Sequence, residues 1–140
     1  MSQDPRTQAV SAFYESLSPA ALLRLGDIYT PDATFKDPFN EVRGADAIGA
    51  IFEHMYRAVE APRFVVTRAV TEGDDAFLTW DFHFVSRQRP IMVRGATHLH
   101  FAADGRVDMH RDYWDAAEEL YEKLPVLGAL MRWLKRQARS

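Results

Sequence analysis

Tyr29-Thr30-Pro31-Asp32-Ala33-Thr34-Phe35-Lys36-Asp37-Pro38 marks the point where the chain changes from helical to extended periodicity. Thr30-Pro31-Asp32 breaks what precedes it, and Ala33 to Asp37 then alternates small or apolar with polar residues up to Pro38. That pattern predicts a short strand at a sheet edge. Upstream, Leu22, Leu23, Leu25 and Ile28 lie at helical spacing over Ala20 to Tyr29, with Ser18 as cap and Pro19 in the first helical position. Further back, Ala9, Val10, Ala12, Phe13 and Leu17 predict a first helix over Thr7 to Leu17, ended by Ser18-Pro19. Downstream, after a turn-like stretch from Asn40 to Gly44, Ile48, Ile51, Phe52, Met55 and Val59 form one stripe. A third helix over Ala45 to Glu60 follows from it, stopping before Pro62.

Beyond Pro62 the character changes again. Phe64 to Thr71, Ala76 to Ser86, Ile91 to Phe101 and Val107 to Trp114 are rich in β-branched and aromatic residues. Gly73-Asp74, Arg87 to Pro90 and Asp104-Gly105 separate them as turns. Three helices followed by strands joined through short turns is an α+β order with antiparallel hairpins. From Asp115 on, Leu120, Leu124, Leu127, Leu130, Met131 and Leu134 return to helical spacing, which predicts a helical extension over 116–140. That extension can act as lid, plug or subunit contact. Its last nine residues carry Arg132, Lys135, Arg136 and Arg139 without an acid, a charge balance that suits a helix end.

Composition narrows the partners. A net charge of -3 with interspersed signs offers no broad basic field, so no nucleic-acid partner is expected. No cysteine occurs, which removes disulfides, thiol catalysis and thiolate metal sites together. The first residues lack the apolar run of a secretion signal, and no stretch approaches the roughly 18 apolar residues of a membrane span. The expectations are therefore a cytoplasmic location and no membrane insertion. The alternative of an amphipathic tail resting on a membrane through Trp133 and its basic neighbours is set against plain intramolecular packing. At 140 residues, one core is expected.

The order of elements, with Tyr29 to Pro38 and then Gly44-Ala45-Asp46-Ala47-Ile48, resembles the nuclear transport factor 2-like superfamily, in particular its ketosteroid isomerase-like and SnoaL-like members. The resemblance spans residues 7–115. It implies a cone-shaped, curved antiparallel sheet packed on the N-terminal helices around a pocket for a small apolar ligand, with no cofactor or metal, and a homodimer. It places Asp37 at the general base of ketosteroid isomerase. The oxyanion partners of that enzyme fall at Phe13, with Tyr14 next to it, and at Thr97, so shape and one carboxylate carry over while the ketosteroid reaction does not.

Side-chain alternation in the last hairpin extends the candidate site. Val93, Gly95, Thr97, Leu99 and Phe101 are expected on one face with Asp108, His110, Asp112 and Trp114. Arg94, His98 and His100 share the other face with Val107, Met109, Arg111 and Tyr113. Because the resemblance puts Thr97 on the concave side, His110, Asp112 and Trp114 follow it there, toward Asp37. An imidazole and carboxylates near an aromatic wall suit general acid–base chemistry, and Asp37 with His110 would resemble the Asp-His dyad of scytalone dehydratase. The candidate catalytic residues are Asp37, His110 and Asp112, and the candidate substrate-binding residues are Tyr14, Trp80, Phe82, Thr97 and Trp114. The structural alternative makes Asp37 an Asp-Pro turn residue or a helix-end contact and has His110 and Asp112 satisfy each other's neighbours or backbone groups in a half-buried sheet. His98 and His100, two apart on the outer face, have a metal-compatible spacing but no evident third ligand. Two functions follow: a cofactor-independent isomerase, dehydratase or cyclase moving protons on an apolar ring or polyketide-like molecule, or a non-catalytic ligand-binding or assembly module.

Overall fold

A computed structural model of the chain describes residues 2–116 and 119. The helical extension expected over 116–140, with its basic end, otherwise lies outside the described residues. Helix α1 (Pro5–Glu15) is started by Asp4, whose carboxylate accepts from the Arg6 amide at 2.9 Å, with Pro5 in the first turn. It buries Thr7, Val10, Phe13 and Tyr14. The second helical stretch is tighter than its leucine spacing suggests: a 3-10 turn, Ala20–Arg24, leads into one turn of α2 (Leu25–Ile28). Helix α3 (Ala45–Ala58) starts from Gly44, whose φ of +100° favours glycine, and buries Ile48 and Phe52.

Six strands build one curved, unclosed sheet: β1 (Tyr29–Lys36), β2 (Glu41–Arg43), β3 (Glu60–Glu72), β4 (Asp75–Ser86), β5 (Arg89–Phe101) and β6 (Val107–Tyr113). Their order is β2-β1-β6-β5-β4-β3. All neighbours are antiparallel except β1 and β6, which run parallel. Helix α1 packs on β3, and α3 on β1 and β3.

Three sequence expectations change. The strand ending at Pro38 is not an edge: β1 begins at Tyr29 and lies between β2 and β6, while the turn-like stretch after Asn40 contains the edge strand on that side. Strand β3 starts ahead of Pro62, because Ala61 at φ +51° and a register shift form a bulge that tolerates proline on an edge. The alternation proposed for the last hairpin holds from Met109 to Tyr113, where Leu99 faces His110 and Thr97 faces Asp112. It fails nearer the turn. Phe101 pairs with Val107 and His100 with Met109, so Asp108 is an extra residue. The bulge turns Val107 into the core, fully buried, and Asp108 outward, where its carboxylate meets His100 Nδ1 at 2.7 Å.

Candidate functional site

Strands β1 and β6 end side by side, with Lys36 opposite Arg111. The next residues along each strand are therefore Asp37 and Asp112. Both line a cavity of about 120 Å³ walled by Phe35, Phe52, Phe64, Trp80, Phe82 and Trp114, with aliphatic side chains from α3 and β5. The two aspartates are the only charged residues among the described residues that line it.

Asp37 sits where β1 turns toward β2. Its Oδ1 accepts from the amides of Phe39 and Asn40 at 2.8 and 2.6 Å, and its own amide donates to the Asn40 carbonyl at 2.9 Å. This side-chain turn fixes the carboxylate at the cavity wall. Burial pushes the Asp37 pKa up against the Phe39 amide, which lowers it, and the neighbouring Asp112 charge adds to the rise.

Asp112 is held by a directed chain of hydrogen bonds. An indole N–H can only donate, so Trp80 Nε1 gives to Thr97 Oγ1 at 2.8 Å, and the threonine proton then goes to Asp112 Oδ1 at 2.5 Å. The same Oδ1 accepts from His110 Nε2 at 2.6 Å. His110 Nδ1 is left as an acceptor for Tyr29 Oη at 2.7 Å, with Tyr14 Oη at 3.1 Å and in contact with the Tyr29 hydroxyl. Burial raises the pKa of both phenols, which keeps them protonated donors. Tyr14 giving to Tyr29, Tyr29 to His110 Nδ1, and His110 Nε2 to Asp112 is one assignment that satisfies every hydrogen of the network. Asp112 Oδ2 has no hydrogen-bond partner among the described residues.

These groups occupy two compartments. Tyr14, Thr97 and His110 line a smaller pocket of about 30 Å³ behind the cavity, and the two spaces share Phe52, Phe64, Trp80 and Asp112. Its size suits a water or two. Asp37, Asp112, Trp80, Phe82 and Trp114 line the outer cavity. No Asp37–His110 dyad forms, because both imidazole nitrogens are engaged elsewhere. Asp112 lies two residues beyond His110, toward the end of β6 that meets Asp37, and lines both spaces. At the helix position expected for the oxyanion tyrosine, Tyr14 rather than Phe13 presents its hydroxyl, and Phe13 packs edge-on against it.

Tyr29 was missed by the sequence reading as a member of this network. It shares odd parity with Ala33 and Phe35, but Thr30-Pro31-Asp32 reads as a break and hides the strand's first half. On the outer face, His98 pairs with Asp75 at 2.8 Å and His100 with Asp108. No group of three or more His, Asp or Glu side chains placed to hold a metal occurs among the described residues, nor a helix long and apolar enough to cross a membrane.

A family model described as SnoaL-like domain matches residues 10–110. No match was found among curated protein sequences. Among solved structures, the chain is similar to a hypothetical protein with a ketosteroid isomerase-like fold from Catenulispora acidiphila, in complex with trimethylamine. The identity is 20%, with 84% of this chain and 90% of that one covered and a TM-score of 0.71. It is also similar to a nuclear transport factor 2-like protein of unknown function from Burkholderia pseudomallei, at 17% identity, 85% and 97% coverage and a TM-score of 0.74. A third likeness is to an epoxide hydrolase from M. tuberculosis, at 19% identity, 91% and 95% coverage and a TM-score of 0.72.

Proposed function

The chain belongs to the SnoaL-like domain family, and on that premise we propose that it is a cofactor-independent acid–base enzyme moving protons on a small, largely apolar molecule, as an isomerase, dehydratase or cyclase does. The observation that carries this reading is the placement of two differently held carboxylates in one apolar cavity. Pairs of titratable groups whose surroundings push their proton affinities apart supply an acid and a base to the same substrate. Asp112, with Oδ1 engaged by Thr97 and His110, offers Oδ2 as the base. Asp37, whose proton is held to higher pH by burial, is the acid that serves the oxygen on which charge develops. His110 acts through Asp112 and is a positioning residue, backed by Tyr29 and Tyr14. Trp80, Phe82 and Trp114 provide the apolar bed, and Thr97 orients Asp112.

Binding of trimethylamine by the Catenulispora protein supports reading this cavity as a ligand site. A homodimer joined through the outer sheet face is part of the proposal. Val70, Phe77, His98 and Arg111 form one row across β3 to β6, with Val70 59% and Phe77 47% exposed. Exposed apolar residues in a contiguous row mark an interaction surface.

The test is deuterium exchange next to the carbonyl of 2-tetralone in D2O, followed by proton NMR. Wild type is expected to exceed Asp112→Asn by about 10²–10⁴-fold, the usual contribution of a positioned base. Equal rates in the two proteins would overturn the reading.

A further inference from the structure

We propose that the ligand this cavity takes carries a small organic cation, a tertiary or quaternary ammonium group seated between the aromatic rings and Asp112. The inference rests on the cavity being the ligand site, and not on the proton transfer proposed there.

Hydrogen-bonding supply is the first argument. The donors around the inner wall are already spent: Trp80 Nε1 on Thr97, Thr97 Oγ1 on Asp112, and His110 Nε2 on Asp112. What remains is an acceptor, Asp112 Oδ2, beside the second carboxylate of Asp37. An anion meets two carboxyl groups and, among the described residues, no positive charge in this cavity, and a neutral acceptor has only the Asp37 proton to take. A protonated amine can donate to Oδ2.

Charge is the second argument. A carboxylate withdrawn from water favours a cation beside it, and the Asp112 side chain is largely withdrawn, 18% exposed. Asp112 is hydrogen-bonded to the His110 imidazole; no lysine or arginine lines either compartment among the described residues, while Lys36 and Arg111 line an open groove that Asp37 and Asp112 also border. Inside the cavity, a monovalent cation would lie at short range from two carboxyl groups, with no cationic side chain on that wall among the described residues.

The walls give the third. Phe64 and Phe82 stack at 4.5 Å between centroids, Trp80 meets Phe64 edge-on at 5.6 Å, and Trp114 closes the side near Asp37. Aromatic faces around a carboxylate recognise alkylated ammonium groups through the ring quadrupole. The indole of Trp80 contributes only its ring, since its N–H is engaged. A cavity of about 120 Å³ suits a compact head group.

Three isosteric probes isolate the charge: choline, its neutral carbon analogue 3,3-dimethylbutanol, and the anion 3,3-dimethylbutanoate, titrated against the fluorescence of the full chain and checked by calorimetry. Choline is expected to bind at least about tenfold more tightly than the alcohol, with the anion weakest. In Asp112→Asn the preference for choline is expected to vanish while the alcohol still binds, which shows the cavity intact. Equal affinities, a preference for the alcohol or the anion, or no binding of any probe would overturn the proposal. An unchanged preference in Asp112→Asn would overturn the role given to that carboxylate. Choline binding without deuterium exchange on 2-tetralone would instead count against the proton transfer and leave this inference standing.

Discussion

Asp37 has a carboxyl held in an apolar wall, and burial raises its pKa above the ordinary aspartate value. A group with a higher pKa folded than unfolded binds more protons in the native state, so the stability it contributes is complete below the unfolded pKa. It is lost as pH rises through the folded value. Asparagine at 37 retains an oxygen for the Phe39 and Asn40 amides and removes the titration. The urea midpoint of Asp37→Asn relative to wild type is therefore expected to be higher at pH 7 than at pH 3. At His110, only 2% exposed, phenylalanine fills the ring volume but strands the Tyr29 hydroxyl and removes one donor to Asp112. His110→Phe is expected to cost about 2–4 kcal/mol in urea unfolding, and Tyr29→Phe about 1 kcal/mol. A loss below about 1 kcal/mol for His110→Phe would contradict the satisfied network.

Among the elements, β4 and β5 set the aromatic wall through one glycine. Gly95 faces Trp80 across the pair, and a Cβ there would run into the six-membered ring of the indole. Glycine inside a strand marks such a close approach. Gly95→Ala is expected to cost about 1–3 kcal/mol and to shift the tryptophan emission, because Trp80 must leave its bond to Thr97. The faces of β6 were legible in the sequence where alternation is strict, and that put His110, Asp112 and Trp114 on the cavity side. They were not legible at Asp108, because the bulge inserts a residue into an otherwise regular hairpin. Strand β2 was hidden for another reason. Glu41–Arg43 is short and mostly polar, and pairing with β1 makes it a strand, which no local pattern announces.

At the scale of the whole molecule, the three helices and the run of hairpin-joined strands could be read from periodicity, and the motif from Tyr29 to Pro38 pointed to the family. How Asp37 and Asp112 meet could not be read, because it depends on the parallel pairing of β1 with β6, chain segments more than seventy residues apart. The exposed row on the outer face leads to a prediction at this scale. The full chain is expected to sediment as a dimer, and Phe77→Glu with Val70→Lys as a folded monomer. A wild type that sediments as a monomer would end the dimer proposal.

The central claim is that Asp37 and Asp112 share one apolar cavity and sense each other's charge. Carbon-13 NMR of the Asp37 carboxyl, followed through a pH titration in wild type and in Asp112→Asn, measures this directly. The account predicts a wild-type midpoint above the ordinary aspartate range that moves down when the Asp112 charge is removed. A midpoint at or below the ordinary range, unmoved by Asp112→Asn, would contradict it.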